Sequence, residues 1–141
     1  LAGLFSTMTT KAIRLKKKQN TLDPSTYFKK ACLITAEFYL GLVGIHPFWD
    51  GNGRTARLTR DWLLNYLGLP APIHTPENDF ELTQAQYATI LQRGIVDTYE
   101  IYRVLGIHES PARTPFILIN MAYRDIKTNC NTLLGPPTEN L

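Results

Sequence analysis

His46, Asp50, Arg54 and Arg57 fall within one short stretch, His46-Pro-Phe-Trp-Asp-Gly-Asn-Gly-Arg-Thr-Ala-Arg57, and their spacing admits a definite chemistry. Gly51-Asn52-Gly53 lets the backbone take positive φ and approach a ligand closely. Where such a turn feeds a helix, the first turn offers unpaired N–H groups and a positive dipole end, so an anion belongs there. Arg54 and Arg57, at i and i+3, project from nearly the same face, and the arginine fork of donors suits phosphate oxygens. A polyphosphate fits this set better than a single carboxylate. Asp50 would repel it unless a hard cation intervened; Mg²⁺ binds through one carboxylate plus phosphate oxygens and waters, which makes Asp50 the candidate metal ligand. Histidine is the side chain that ordinarily titrates nearest neutrality, and His46 is the candidate general base for an attacking hydroxyl. Together these residues describe a phosphoryl-type transfer.

The elements that position them are read from helix punctuation. Asp23 followed by Pro24 is an N-cap with proline at the first helical position. Tyr27, Phe28, Ala31, Ile34, Ala36, Phe38, Leu42 and Val43 then occupy every side of the helix, which places it at the centre of the fold. It must stop before Pro47. A second helix is predicted from near Gly53 through Arg57, Leu58, Trp62, Leu63 and Leu67 to Gly68, with Pro70 beyond. The chemical residues thus sit on a helix–loop–helix junction, where Phe48 is expected to anchor the loop in the core and Trp49 to lie in the core or on the rim. Pro70 to Pro76 reads as a loop. Thr83 and Gln86 have capping-box spacing, and a long amphipathic helix runs from there to Gly106. Thr114-Pro115 is predicted to open a further helix through Ile126, although Phe116–Ile119 alone also suits a buried strand. Gly135-Pro-Pro ends regular structure. The predicted fold is all-α, with residues 1–22 a basic arm, 23–134 a helical catalytic domain and 135–141 a tail.

Composition narrows the partners. The chain of 141 residues is 44% hydrophobic, enough for one core. Its formal net charge of +3 is too mild to point to nucleic acid by itself. The run Arg14 to Lys18 alone would support such a reading, and a solvated arm explains it as well. Cys32 and Cys130 lack metal-site spacing and do not form a disulfide framework, so a reducing cytosol is expected. Ala31–Trp49 raises a membrane question, but Glu37 within it and Lys29-Lys30 at its edge indicate a core helix and no membrane partner. No signal peptide is visible from Leu1 to Met8.

The stretch resembles the signature of the Fic family, His-Pro-Phe-x-Asp/Glu-Gly-Asn-Gly-Arg-x-x-Arg, at every specified position from His46 to Arg57. At average residue usage a chance match in a chain this long arises on the order of one time in a billion. The resemblance implies a helical protein AMP-transferase in which a serine, threonine or tyrosine hydroxyl of a target protein attacks the α-phosphate of ATP. By that resemblance His46 is the base and Asp50 holds Mg²⁺ between the α- and β-phosphates. Gly51, Gly53 and the side chain of Asn52 hold the α-phosphate, and Arg54 and Arg57 engage the β- and γ-phosphates. Gly51 and Arg54 favour nucleotidyl transfer over the family's other chemistries, with UMP or GMP open beside AMP. The family places a β-hairpin flap upstream of the motif. Only Ala12–Lys18 suggests a strand of it, so residues 1–22, if not a basic arm, are expected to be an incomplete flap region, with the flap degenerate or part of the domain before Leu1. The family's inhibitory glutamate motif has a poor counterpart at Glu139-Asn140, where Gly135 replaces the serine or threonine. Inhibition, if any, is then expected from a separate antitoxin-like protein or another segment. The expected location is the cytoplasm, or a host cell into which the protein is delivered. The rival from another class is a nucleotide- or anion-binding module without transfer; His46 with Asp50 counts against it, because phosphate binding alone needs neither.

Overall fold

A computed structural model of the chain describes residues 1–73 and 81–106. Four helices follow one another: α1 (Ala2–Lys17), α2 (Pro24–Ile45), α3 (Asn52–Tyr66) and α4 (Gln84–Leu105). The described residues contain no strand, and the fold is all-α as the sequence predicts. The helix predicted over Thr114–Ile126, the tail from Gly135, Cys130 and Glu139-Asn140 lie outside the described residues.

α2 packs against each of the other three helices. Its start is set by Asp23, whose carboxylate accepts the Thr26 N–H at 2.9 Å, with Pro24 in the first turn. From there Tyr27, Phe28, Ala31, Cys32, Thr35, Ala36, Phe38, Tyr39 and Leu42 are buried, and they point to all sides of the helix. No helix among the described residues is long and apolar enough to cross a membrane. Cys32 is free and fully buried, and burial pushes its thiol well above the ordinary range.

The first segment differs from expectation. Residues 1–22, read as a solvated basic arm, contain α1, and Ala12 with its successors forms the last turns of that helix rather than a strand. The reason is a narrow apolar stripe: Met8, Ala12 and Leu15 are buried against α2 and Leu4 is half-buried beside them. The basic residues stand largely on the opposite face, where they also suit the negative end of the helix dipole. Phe5 meets Phe38 edge-on at 5.2 Å. Gly41 lets the helices close together, since a Cβ there would lie 2.9 Å from Leu4 Cδ1. Lys11 pairs with Glu37 across the same seam at 2.6 Å.

α3 returns from the loop and packs Ala56, Arg60, Leu63 and Leu64 inward. Its far end is tied to the start of α2 by the Tyr27 O–H, which donates to the Leu67 carbonyl at 2.9 Å. The capping box predicted for α4 is present: Thr83 Oγ1 accepts the Gln86 N–H at 3.2 Å, and Gln86 Oε1 accepts the Thr83 N–H at 2.9 Å. The Thr98 hydroxyl holds the chain after α3 by donating to the Ala71 carbonyl at 2.7 Å.

Burial, with a smaller contribution from Tyr66, pushes the Tyr27 phenol up from 10.0 to about 12. A group whose pKa rises on folding contributes stability that is complete below its unfolded value and lost as pH climbs through the folded one. Denaturant titrations are therefore expected to show stability falling between pH 10 and about 12. Tyr27→Phe should flatten that fall and cost about 1 kcal/mol near neutrality; an unchanged alkaline slope would mean another group titrates. Thr35 Oγ1 is buried without a hydrogen-bond partner among the described residues. Thr35→Val, which removes that unpaired hydroxyl at equal shape, is expected to raise the unfolding free energy by up to about 1 kcal/mol, and a loss of that size would show that the hydroxyl has a partner.

Candidate active site

The turn between α2 and α3 brings the sequence-predicted residues to one place. α2 ends on His46, which takes the left-handed conformation (φ 52°, ψ 56°) and donates its N–H to the Leu42 carbonyl at 3.2 Å. It is the one non-glycine residue with positive φ among those described. Glycine would adopt this conformation without the penalty of a Cβ, so a histidine here keeps an exposed imidazole at a strained helix exit. Pro47 then blocks any continuation of α2.

The loop that follows is closed by Asn52. Its Oδ1 accepts the Phe48 N–H at 2.8 Å and its Nδ2 donates to the Phe48 carbonyl at 2.6 Å, so a single carboxamide pins both backbone groups of one residue. Asn52 is correspondingly buried, at 7% exposure. That clamp uses one of the two N–H groups of its amide. Phe48 itself departs from expectation: the residue is 46% exposed rather than anchored in the core, and the loop is held through its backbone instead. Trp49 is fully exposed and so lies on the rim.

Gly51 caps α3 in the left-handed conformation at φ 78°. α3 begins at Asn52, one residue before the predicted start, and no side chain caps its first turn. The N–H groups of that turn are the open donors an anion needs. The two arginines fold back over the glycines: a Cβ on Gly51 would lie 3.6 Å from Arg54 Nη2, and one on Gly53 would lie 3.5 Å from Arg57 Nη1. Gly51, Gly53, Arg54 and Arg57 therefore share one patch.

Asp50 completes the set. One carboxylate oxygen accepts the Gly51 N–H at 2.6 Å and the other pairs with Arg54 Nη2 at 3.1 Å. Both side chains are mostly in water, where such a pair contributes little and yields readily to a ligand. No group of three or more metal-ligating side chains occurs among the described residues, so no protein cage for a cation is present there. A lone exposed carboxylate is the protein donor Mg²⁺ uses where phosphate oxygens and water supply the rest, and Asp50 is such a carboxylate.

Sequence reasoning missed Arg60. It lies on the inner face of α3, 2% exposed, with its guanidinium on the Asp61 carboxylate at 2.7 Å, on the Tyr87 hydroxyl at 3.1 Å and over the Tyr39 ring at 5.8 Å. Tyr39 and Tyr87 stack at 4.6 Å. Burial opposes the charge, and Tyr87 and Asp61 more than offset it, so the Arg60 pKa stands above the ordinary arginine value. The signal was available: Ala56, Arg60, Leu63 and Leu67 follow helical spacing, which puts a cation in the middle of an apolar face and demands a partner for it. Through Tyr87 and Tyr39 this residue links the motif helix to both α4 and α2.

Residues 4–64 match the profile of the Fic/DOC family. That span takes in nearly all of α1, the whole of α2 and the junction, and α3 as far as Leu64, so the likeness reaches back through the segment read from sequence as an arm. A uridine 5'-monophosphate transferase of Xanthomonas campestris pv. campestris (strain 8004) is 57% identical to the chain over 35 residues. The matched stretch is 25% of this chain and 6% of that protein, so the chain corresponds to a small part of that relative's length. No solved structure matches the chain.

Asn52→Ala leaves the Phe48 N–H and carbonyl without their partner. The unfolding free energy is expected to fall by about 1–3 kcal/mol, and hydrogen exchange at the Phe48 amide should quicken correspondingly; unchanged exchange would mean that the clamp does not hold the loop.

Proposed function

We propose that this chain transfers a nucleoside monophosphate from a magnesium–nucleoside triphosphate to a side-chain hydroxyl of another protein. The observation that carries the reading is the joint placement of an exposed histidine, an uncapped helix start with two glycines, and two arginines folded over them, within a span that matches the Fic/DOC family.

In this reading the backbone N–H groups of the first turn of α3 hold the α-phosphate, with the remaining Asn52 amide N–H beside them. Arg54 leaves its exposed pair with Asp50 and, with Arg57, engages the β- and γ-phosphates. Asp50 would then be free to hold Mg²⁺, whose charge would offset that of the phosphates. His46 takes the proton of the attacking serine, threonine or tyrosine hydroxyl as its oxygen bonds to the α-phosphorus. The bond from the α-phosphorus to the bridging oxygen breaks, and pyrophosphate leaves with that electron pair. ATP, giving AMP transfer, is the first donor to consider. UTP is the second, because the similar Xanthomonas protein is named a uridine 5'-monophosphate transferase.

The test is label transfer from α-labelled ATP and, in parallel, α-labelled UTP, with Mg²⁺, with and without cell lysate. Label is expected to become fixed to protein and to fall by about 10²–10⁴-fold in His46→Ala and sharply in Asp50→Ala. Transfer that survives His46→Ala would remove the assigned base, and nucleotide binding without any transfer would make the chain a binding module.

A further inference from the structure

Trp49 is the most exposed large apolar side chain among those described, at 104%. An indole is rarely left wholly in water, and nothing in the packing of the four helices requires one at this position. The backbone around it is not loose. Phe48, immediately before it, is pinned through both its N–H and its carbonyl by Asn52, and Asp50, immediately after it, bonds Gly51 and Arg54. The ring is thus free to turn about its own side-chain bonds while its root is fixed beside the glycine and arginine patch.

We infer that the Trp49 indole is the stacking surface for the base of the bound nucleotide. The inference rests on the nucleotide reading of the site. Trp49 precedes Gly51 by two residues, so its root stands within about 7 Å of the first glycine of the cradle. Only a ribose separates a base from its α-phosphate, and that matches this short separation. Two kinds of surface then stand on one short loop: N–H groups and guanidinium groups for the charged end of the ligand, and an uncovered aromatic plane for its flat end. Stacking on an aromatic side chain tolerates any base, so the indole needs no specific base edge to serve in this way. The other exposed indole, Trp62, at 59%, lies further along α3 and already stacks on Tyr66 at 6.2 Å, so it offers no comparable free plane beside the cradle.

The sequence holds two tryptophans, so Trp62→Phe leaves Trp49 as the sole indole reporter. Calorimetric titrations with Mg²⁺ and ATP, UTP or inorganic tripolyphosphate are read alongside Trp49 emission in that variant. Both nucleotides are expected to quench the emission and to bind about tenfold more tightly than tripolyphosphate, ATP more tightly than UTP. Trp49→Ala, whose replaced side chain touches nothing the fold needs, should abolish that advantage and leave tripolyphosphate affinity unchanged. Equal affinity for nucleotides and tripolyphosphate, insensitive to Trp49→Ala, would overturn the inference while leaving the phosphate site standing. If neither nucleotide nor tripolyphosphate bound, both readings would fall together.

Discussion

The burial of α2 on all sides is the constraint from which the rest of the structure follows. A helix that is apolar around its whole circumference cannot face water, so its neighbours must enclose it. α1 does so with a stripe of Leu4, Met8, Ala12 and Leu15, α3 with Ala56, Leu63 and Leu64, and α4 with Tyr87, Leu91 and Ile95. α3 can take its place only if the chain reverses soon after α2 ends. The reversal concentrates helix ends, glycines and a proline within a few residues, and the candidate chemistry occupies that turn.

The turn is held from within and from beneath. From within, the Asn52 carboxamide closes it on Phe48, so Phe48 and Trp49 are released from any anchoring duty. From beneath, Arg60 fixes α3 through Tyr87 and over Tyr39, which leaves little freedom to rotate Arg54 and Arg57 of the same helix relative to the core. The strain at His46 sits between these restraints. Positive φ on a residue with a side chain persists only where its surroundings over-determine it.

Much of this was legible in the sequence. The helix starts at Asp23-Pro24 and Thr83, the stops before Pro47 and at Gly68 and Gly106, and the all-α class follow from local rules of capping and periodicity. The cluster of Gly51, Gly53, Arg54 and Arg57 follows from helical spacing. What escaped depends on burial and pairing that appear only once the helices are packed. α1 looked like an arm because its inward stripe is narrow and followed by a run of basic residues, and only the surface of α2 shows that such a stripe suffices. Phe48 looked like an anchor because aromatic rings usually are, and the competing backbone clamp needed Asn52 to be buried. Arg60 was passed over because an arginine on a helix normally faces water, and its phenol partner lies on another helix.

Cys32 carries a different kind of consequence. Its sulfur is wholly enclosed in α2's core, and burial disfavours the thiolate that any oxidant or alkylating agent attacks. While the helices stay together, this thiol is chemically silent. It becomes reactive only in molecules whose core has opened, so a thiol-reactive environment samples the unfolding fluctuations and not the folded population. Each opening captured by an irreversible reagent is subtracted from the folded pool, and where capture outpaces reclosing the lifetime of the chain is governed by how often α2 is uncovered rather than by its equilibrium stability.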